Sequence, residues 1–557
     1  MKKILVILDG ASDLGVAAFG GKTPLESAKT PNMDWFVKNG LAGYMYPIDE
    51  KTIPGSDNSL ISIFGNNPKT CKRGIYEAIG VGFKLKRGDL ALRTNFGTID
   101  NLKNKKVIDR RAGRTLSSKE ARILAKAINE KIKLSCKFEL KSTIQHRGVL
   151  VFRGGFSDNI TNTDPEWRPD ESNDFKFSKP LDEDDDNAKH SANVLNSFLD
   201  MAFKILKQHP INLNREKKGL LPANMLFTRG GGSEIPKLKQ YKTWMSINPM
   251  PLEIGISELG GMKTFSFPYP ELKNIDSYKN LYKGLDKTIS FAIKTIKKQH
   301  KYYSGCYIQF KETDVPGHDN KPYEKRNMIE IIDKKFFSFL KKFAEKHKIK
   351  VVVTCDHSTP CKIKMHSHHP VPVLVYGGDG EADNVKVFSE KACKKGDLGK
   401  MYGKDFMKKT GLSGWLENRY IFISTECFLV MKAYITCPVS HTQKRLGLLP
   451  EIKSIVEKNN IDSFVFEIGG NPEEIFKRDY EQLKSCDLLI AEVSETSHGV
   501  GIEVGMSYCL NLKRILLIEK GKKITKLAQG MPDTIIIEYE DLEDLKNKLS
   551  SVLKDIK

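Results

Sequence analysis

The sequence lacks the features that would place it in a membrane, a secreted scaffold or a nucleic-acid complex. No apolar run in its 557 residues approaches the ~18–20 needed to cross a bilayer. Its ten cysteines are scattered, with no C-x-x-C pair and no even spacing. That excludes a disulfide framework and points to reduced, mostly buried thiols. Cys355 and Cys361 flank a loop considered below but lack zinc-ligand spacing. The formal charge of +21 comes without an arginine-and-aromatic stripe or a known reading module. Its basic residues are dispersed and mostly lysine, as in Lys297-Lys298, Lys341-Lys342 and Lys394-Lys395. They read as a solvated surface that can attract anionic substrates, and a nucleic-acid partner is not expected.

There is no internal repeat. A hydrophobic content of 39% and a charged content of 29% are those of a soluble globular protein. The length suits two to four packed units. The opening Met1–Asp9 has too short an apolar part for a signal peptide and ends in an acid, so it reads as a buried strand. A cytoplasmic location is expected, and homo-oligomerisation is left open.

Ile4–Leu8, Cys306–Phe310 and Val351–Thr354 are short apolar runs, as buried parallel strands are. Helical spacing recurs between them. In 327–344, Met328, Ile332, Phe336, Phe339, Leu340 and Phe343 fall on one face. The alternation predicts an α/β sheet covered by helices. Residues from about 116 to 242 differ: a strand at Gly148–Phe152, a polar loop near 158–174, a solvated acidic run at Asp182–Asp186 and a helix from Ala188 to His209. They read as an inserted α+β subdomain. Trp415–Arg419 fits a connector, and a new unit begins at Met431. Strands at Asp487–Val493 and Arg514–Ile518 flank a Gly-rich turn and helix there, which predicts a small flavodoxin-like α/β domain over 431–557.

Candidate metal ligands fall where the strands end. Asp9 follows the first; Asp314 and His318 follow the second; Asp356 and His357 follow the third, with His366 a short loop later. Carboxylates mixed with imidazoles suit zinc or manganese, and six groups exceed the needs of one ion. A binuclear centre is expected. Pro54-Gly55-Ser56-Asp57 adds a serine in a turn, a weak nucleophile until a metal or base activates it.

Several segments closely resemble the archaeal-type cofactor-independent phosphoglycerate mutases of the alkaline phosphatase superfamily. They are Ile7–Gly10, Gly21–Asp34, Pro54–Asp57, Asp109–Arg114, His146–Leu150, Pro222–Asn224 and Asp356–Cys361. The likeness spans about 1–414, within a mutase domain read as 1–418. It implies an alkaline-phosphatase-like parallel-sheet core and interconversion of 3-phosphoglycerate and 2-phosphoglycerate through a phosphoserine at Ser56. It also implies two divalent ions, manganese favoured over zinc, cobalt or magnesium, and no 2,3-bisphosphoglycerate. Asp9, Ser56, Asp356 and His357 would hold one ion; Asp314, His318 and His366 would hold the other. His368 and His369 are spares. Arg93, Arg110, Arg111, Arg114, His146, Arg147 and Arg229 stand in segments resembling the substrate-facing motifs, and guanidinium groups grip carboxylate and phosphate bidentately. Asp109 would orient an arginine or handle a proton. Two departures are Leu60, where the family usually has histidine, and Ile254, where it usually has a basic residue; nearby Lys263 is a candidate to compensate. A phosphatase or phosphodiesterase of the same superfamily, or a degenerate metal-binding scaffold, are the alternatives.

From Met431 the chain resembles nucleoside 2-deoxyribosyltransferases and deoxynucleoside monophosphate glycosidases. Tyr434–Pro438, Arg478-Asp479, Cys486–Val493 and Ser497–Glu503 carry the likeness. It implies Glu503 as nucleophile at the anomeric carbon, Asp479 near the leaving base or a sugar hydroxyl, and Tyr434 lining the pocket. Ser497, Gly499 and Gly501 would cradle the phosphate of a deoxynucleoside monophosphate. Nucleotide binding without turnover is the alternative.

Overall fold

The structure, a computed structural model, describes residues 1–165, 174–271, 276–377, 382–412, 431–439, 443–459, 461–466, 469, 471–510 and 512–556. The connector read at Trp415–Arg419 and part of the polar loop near 158–174 lie outside them. The chain forms two compact units, Met1–Trp415 and Leu416–Lys557.

The first unit is built on an eight-stranded sheet ordered Gly399–Tyr402, Gly40–Tyr46, Val371–Tyr376, Lys350–Thr354, Lys3–Leu8, Gly305–Phe310, Trp244–Ile247 and Lys263–Phe265. All run in one direction except Val371–Tyr376, which is antiparallel to both neighbours. The central strands are buried on both faces, which explains their unbroken apolar sequences. Because Lys3–Leu8 pairs in parallel with Gly305–Phe310 and Lys350–Thr354, three strand ends open onto one edge. The loops carrying Asp9, Asp314, Asp356 and His357 leave from there.

The helix expected over 327–344 runs from Pro322 to His347 but is interrupted by a π turn at Asp333–Phe337. Asp333 is drawn to a second helix, Pro31–Lys38, where its carboxylate accepts the N–H groups of Asn32 and Met33. A capping demand on one helix distorts another.

A second sheet in this unit centres on Leu90–Ile99, paired antiparallel with Arg147–Phe152 on one side and Met225–Gly232 on the other. Phe138–Ser142 and Val107–Asp109 extend it. It therefore begins upstream of residue 116. Helices Ser118–Lys131 and Asp186–Lys207 contribute buried apolar faces to its core. The acidic run contributes the second helix's cap, since Asp185 accepts the N–H of Ala188 at 2.9 Å.

The second unit is a five-stranded, all-parallel sheet ordered Ile461–Val465, Met431–Thr436, Leu488–Glu492, Lys513–Glu519 and Thr534–Tyr539. In chain order this is 2-1-3-4-5, the flavodoxin-like arrangement, with its crevice at the switch point beside Met431–Thr436. Arg445, almost fully buried, ties the sheet's far side together through Glu492, Glu519 and the Tyr539 hydroxyl.

Candidate metal centre and anion pocket

Three histidines converge on Asp314, and each is aimed by its other ring nitrogen. His318 Nδ1 donates to the carbonyl of Lys364 at 2.9 Å, and His366 Nδ1 donates to that of Pro54 at 2.9 Å. Thr359 Oγ1 donates to Asp314 Oδ1 at 2.7 Å, which leaves it to accept the Nδ1–H of His357 at 3.0 Å. All three imidazoles thereby carry a proton on Nδ1 and turn Nε2 inward, the arrangement outer partners impose on metal-ligating histidines. Nε2 of His318 lies 3.4 Å from Asp314 Oδ2, and Nε2 of His366 lies 3.7 Å from Asp314 Oδ1. The rings of His357 and His366 stack at 3.7 Å.

Two groups of ligand atoms result, each with all atoms within 4.8 Å of one another: Asp314, His318 and His366, and Asp9, Asp314 and His357. Asp314 belongs to both. His357 Nε2 also stands 3.1 Å from Ser56 Oγ and 3.4 Å from Asp356 Oδ2. Asp356 Oδ1 is held by the N–H groups of Gly10 and His357, both at 3.0 Å. Gly10 adopts φ +54°, and a Cβ there would lie 2.5 Å from Asp314 Oδ1. Only glycine lets the first loop pass this close.

The electrostatics favour cations. Burial and the neighbouring Asp356 push Asp9 well above the carboxylate range, and burial raises Asp356 to about 6. Asp9 Oδ1 is buried without a hydrogen-bond partner. Burial opposes the charge on Asp314, but His318, His366 and His357 hold it well below the usual range. Crowded, dry carboxylates with an orphaned oxygen and three aimed imidazoles fit divalent ions. His368 and His369 stack on each other and join neither group. Cys355 and Cys361 are buried and likewise join neither.

Ser56 opens the helix Ser56–Ile63 and is 7% exposed. Lys311, which the ligand motifs did not bring out, lies beside it. Its Nζ is 3.4 Å from Ser56 Oγ and 3.0 Å from Glu253 Oε1, and it donates to Asp9 Oδ2. Burial opposes its charge, but Asp9 and Glu253 outweigh that and keep it an ammonium. Gln309 also donates to Asp9 and, at 3.1 Å, to Asp356. A glutamine inside an otherwise apolar strand, and a lysine three residues before Asp314, are the sequence signals for these two. Lys263, the candidate to compensate for Ile254, is exposed at the start of its own strand.

A surplus of arginine borders this centre. Arg93 and Arg229 are register partners on adjacent strands, and Arg147 pairs with Asn95, two residues along. Period-two geometry puts all three arginines on one sheet face. Like charges directly opposite are destabilising unless something anionic lies between. Glu77 offsets part of the charge, 3.3 Å from Arg93 and 2.7 Å from Arg73, while Arg93 Nη1 is buried without a partner. Asp164 engages Arg110 at 2.5 Å and stands 3.7 Å from Arg229. Arg114 pairs with Asp319, the residue after His318, at 2.8 Å. Burial, then Arg114 and Arg110, bring Arg111 down to about 9. Burial, then Arg147 and Arg111, depress His146, whose Nδ1 has no partner. Asp109 accepts the N–H groups of Arg111 and Gly113 at 2.6 and 2.9 Å. It pins a turn in which Ala112, Gly113 and Arg114 all have positive φ. Three successive left-handed residues are a strained way to present arginines, and such strain collects at functional sites.

In the second unit, Glu503 lies on the helix His498–Cys509. It accepts hydrogen bonds from Tyr434 at 2.8 Å and Thr436 at 2.7 Å, and burial raises its pKa. Arg478 Nε donates to Asp479 at 2.9 Å. Ser497 caps the helix, and Gly499 and Gly501 are exposed on its first turn, with nothing within 4 Å of a Cβ at Gly501.

The family model for 2,3-bisphosphoglycerate-independent phosphoglycerate mutase matches residues 37–212, and that of the metalloenzyme superfamily matches 258–411. The mutase of that name from Thermococcus kodakarensis is 36% identical over 417 residues, covering 73% of this chain and 95% of the relative. A protein of known structure from Pyrococcus horikoshii superposes with a TM-score of 0.56 at 29% identity, over 74% of this chain and 98% of its own. A CMP N-glycosidase from Clostridium botulinum matches 21% of this chain and 97% of its own, at 20% identity and a TM-score of 0.18, a likeness too slight to bear on function. On the identity and extent of the Thermococcus match, the chain belongs to the 2,3-bisphosphoglycerate-independent phosphoglycerate mutases.

Proposed function

We propose that the unit over 1–418 moves a phosphoryl group between the 3- and 2-oxygens of glycerate through Ser56. In this reading Asp314, His318 and His366 hold one divalent cation. Asp9, Asp356, His357 and Ser56 hold the other. Mixed carboxylate and imidazole donors suit manganese or zinc, and manganese is the favoured ion. Bound cations supply Lewis-acid charge that favours an ionised Ser56 and offsets charge on the phosphoryl oxygens. The observation that carries the reading is the inward aim of three Nε2 atoms, those of His318 and His366 at Asp314 and that of His357 at Ser56 Oγ, 3.1 Å away.

The protein's own groups do the rest. Ser56 Oγ bonds to phosphorus as the ester P–O bond of 3-phosphoglycerate breaks; the serine gives up its proton, and the departing glycerate oxygen takes one up. Arg93, Arg147 and Arg229 hold the glycerate carboxylate and phosphate, with Arg110, Arg111, Arg114 and His146 closing the pocket. Asp109 acts by positioning that arginine turn. The glycerate turns while held, and its 2-hydroxyl retrieves the phosphoryl group by the same step in reverse. The seclusion of Ser56 keeps water from the phosphoserine.

Manganese-supplemented protein given 3-phosphoglycerate should yield 2-phosphoglycerate. Inorganic phosphate as the sole product would overturn the mutase reading in favour of a phosphatase. Arg93→Met should raise KM for 3-phosphoglycerate by about 10–100-fold, the loss of one charge-assisted contact. Steady-state kinetics with unchanged KM would remove Arg93 from the pocket.

For the unit over 431–557 the proposed reaction is cleavage of the N-glycosidic bond of a deoxynucleoside monophosphate. The Glu503 carboxylate attacks the anomeric carbon as the base leaves, and water later opens the glycosyl ester. Tyr434 and Thr436 fix the carboxylate; Asp479 faces the base or sugar; Ser497, Gly499 and Gly501 receive the phosphate. Glu503→Gln should lower release of free base from deoxynucleoside monophosphates by at least about 10³-fold. Equal release by both proteins would overturn the assignment.

A further inference from the structure

We propose that Lys311 is an exchangeable counter-cation: it neutralises Asp9 in the metal-free protein and, once a metal ion takes that carboxylate, turns to the phosphoryl group on Ser56. The proposal rests on Ser56 as the reacting residue.

The geometry gives Lys311 both positions without moving its backbone. Its Nζ donates to Asp9 Oδ2 while lying only 3.4 Å from Ser56 Oγ. A phosphoryl group bonded to that Oγ would carry its oxygens within hydrogen-bond reach of Nζ. Glu253 Oε1, 3.0 Å away, anchors the ammonium in either position and is itself 1% exposed. The helix bearing Glu253, Pro251–Leu259, contains no lysine or arginine.

Charge accounting favours exchange over a fixed bridge. Asp9 and Asp356 crowd together with Glu253 nearby, and Lys311 is the ammonium among them. Before metal binds, the lysine keeps a buried carboxylate from standing uncompensated. After metal binds, the same contact would set an ammonium against a divalent ion across one carboxylate. That repulsion favours Nζ moving toward new negative charge, which the phosphorylated serine supplies. Lys311 then touches the reacting atoms and keeps its proton throughout.

The test compares wild type, Lys311→Arg, Lys311→Met and Lys311→Met/Glu253→Gln as full chains. The double variant removes both charges and covers the case in which Lys311→Met alone fails to fold. Mn²⁺ affinity is read by titration calorimetry on metal-free protein, and formation of phosphoserine by rapid quench. With its competitor gone, the double variant should bind Mn²⁺ at least about 10-fold tighter while phosphoserine forms about 100-fold more slowly, and Lys311→Arg should retain most of both wild-type values. Unchanged or weaker Mn²⁺ binding would overturn the exchange, and an unchanged phosphorylation rate would overturn the catalytic role. Absence of phosphoserine in wild type would instead defeat the Ser56 reading on which the proposal rests.

Discussion

Ser56→Ala should lose mutase activity by at least about 10⁴-fold while retaining its fold and most of its metal. In the proposed reaction Ser56 carries the reacting oxygen, so its removal deletes a bond-forming step and not merely a contact. The rest of the centre does not depend on it. Its Oγ contributes one contact to His357 and one to Lys311, whereas Asp9, Asp356 and His357 remain held by Gln309, Gly10 and Thr359. Circular dichroism and metal analysis should therefore match wild type when the coupled 2-phosphoglycerate assay reads zero. Activity within 10-fold of wild type would show that another group accepts the phosphoryl, or that none is needed.

Asp314→Asn should have the next largest effect, and a different signature. Asp314 is the carboxylate common to both ligand groups; in the proposed arrangement it holds one ion and its charge lies close to the other. The amide keeps the shape but loses the anion that three imidazoles surround. Affinity for Mn²⁺ should fall by more than about 100-fold at both sites, and activity should fall with it and recover partly at high Mn²⁺. Loss of one ion with the second bound at wild-type affinity would show that the charge of Asp314 does not reach the second site.

The strands that build the centre were legible because they are buried on both faces. Lys3–Leu8, Gly305–Phe310 and Lys350–Thr354 carry uninterrupted apolar runs, and their ligands lie just past them, where parallel strand ends open. The antiparallel Val371–Tyr376 was not legible, since apolar content does not encode strand direction. The start of the second sheet was obscured by its composition. Leu90–Ile99 is fully buried yet carries Arg93, Thr94 and Asn95 at its middle, so its hydrophobic pattern breaks within the strand. Lys311, Gln309 and Glu253 escaped for a similar reason. Motif spacing finds residues that repeat a family pattern, whereas these act through proximity created when three separated segments meet.

The arginines illustrate the complementary case. Their motifs marked them as a group, but only the register shows Arg93 facing Arg229 across adjacent strands, an arrangement that an anion resolves. The same holds in the second unit. The sequence places Tyr434 and Glu503 in separate motifs, and the parallel sheet brings them to 2.8 Å.

The most direct test is peptide mapping of manganese-loaded protein acid-quenched during turnover of 3-phosphoglycerate. A single phosphorylated residue at Ser56, absent without metal, is the predicted result. Steady conversion to 2-phosphoglycerate with no phosphoserine at position 56 would contradict it.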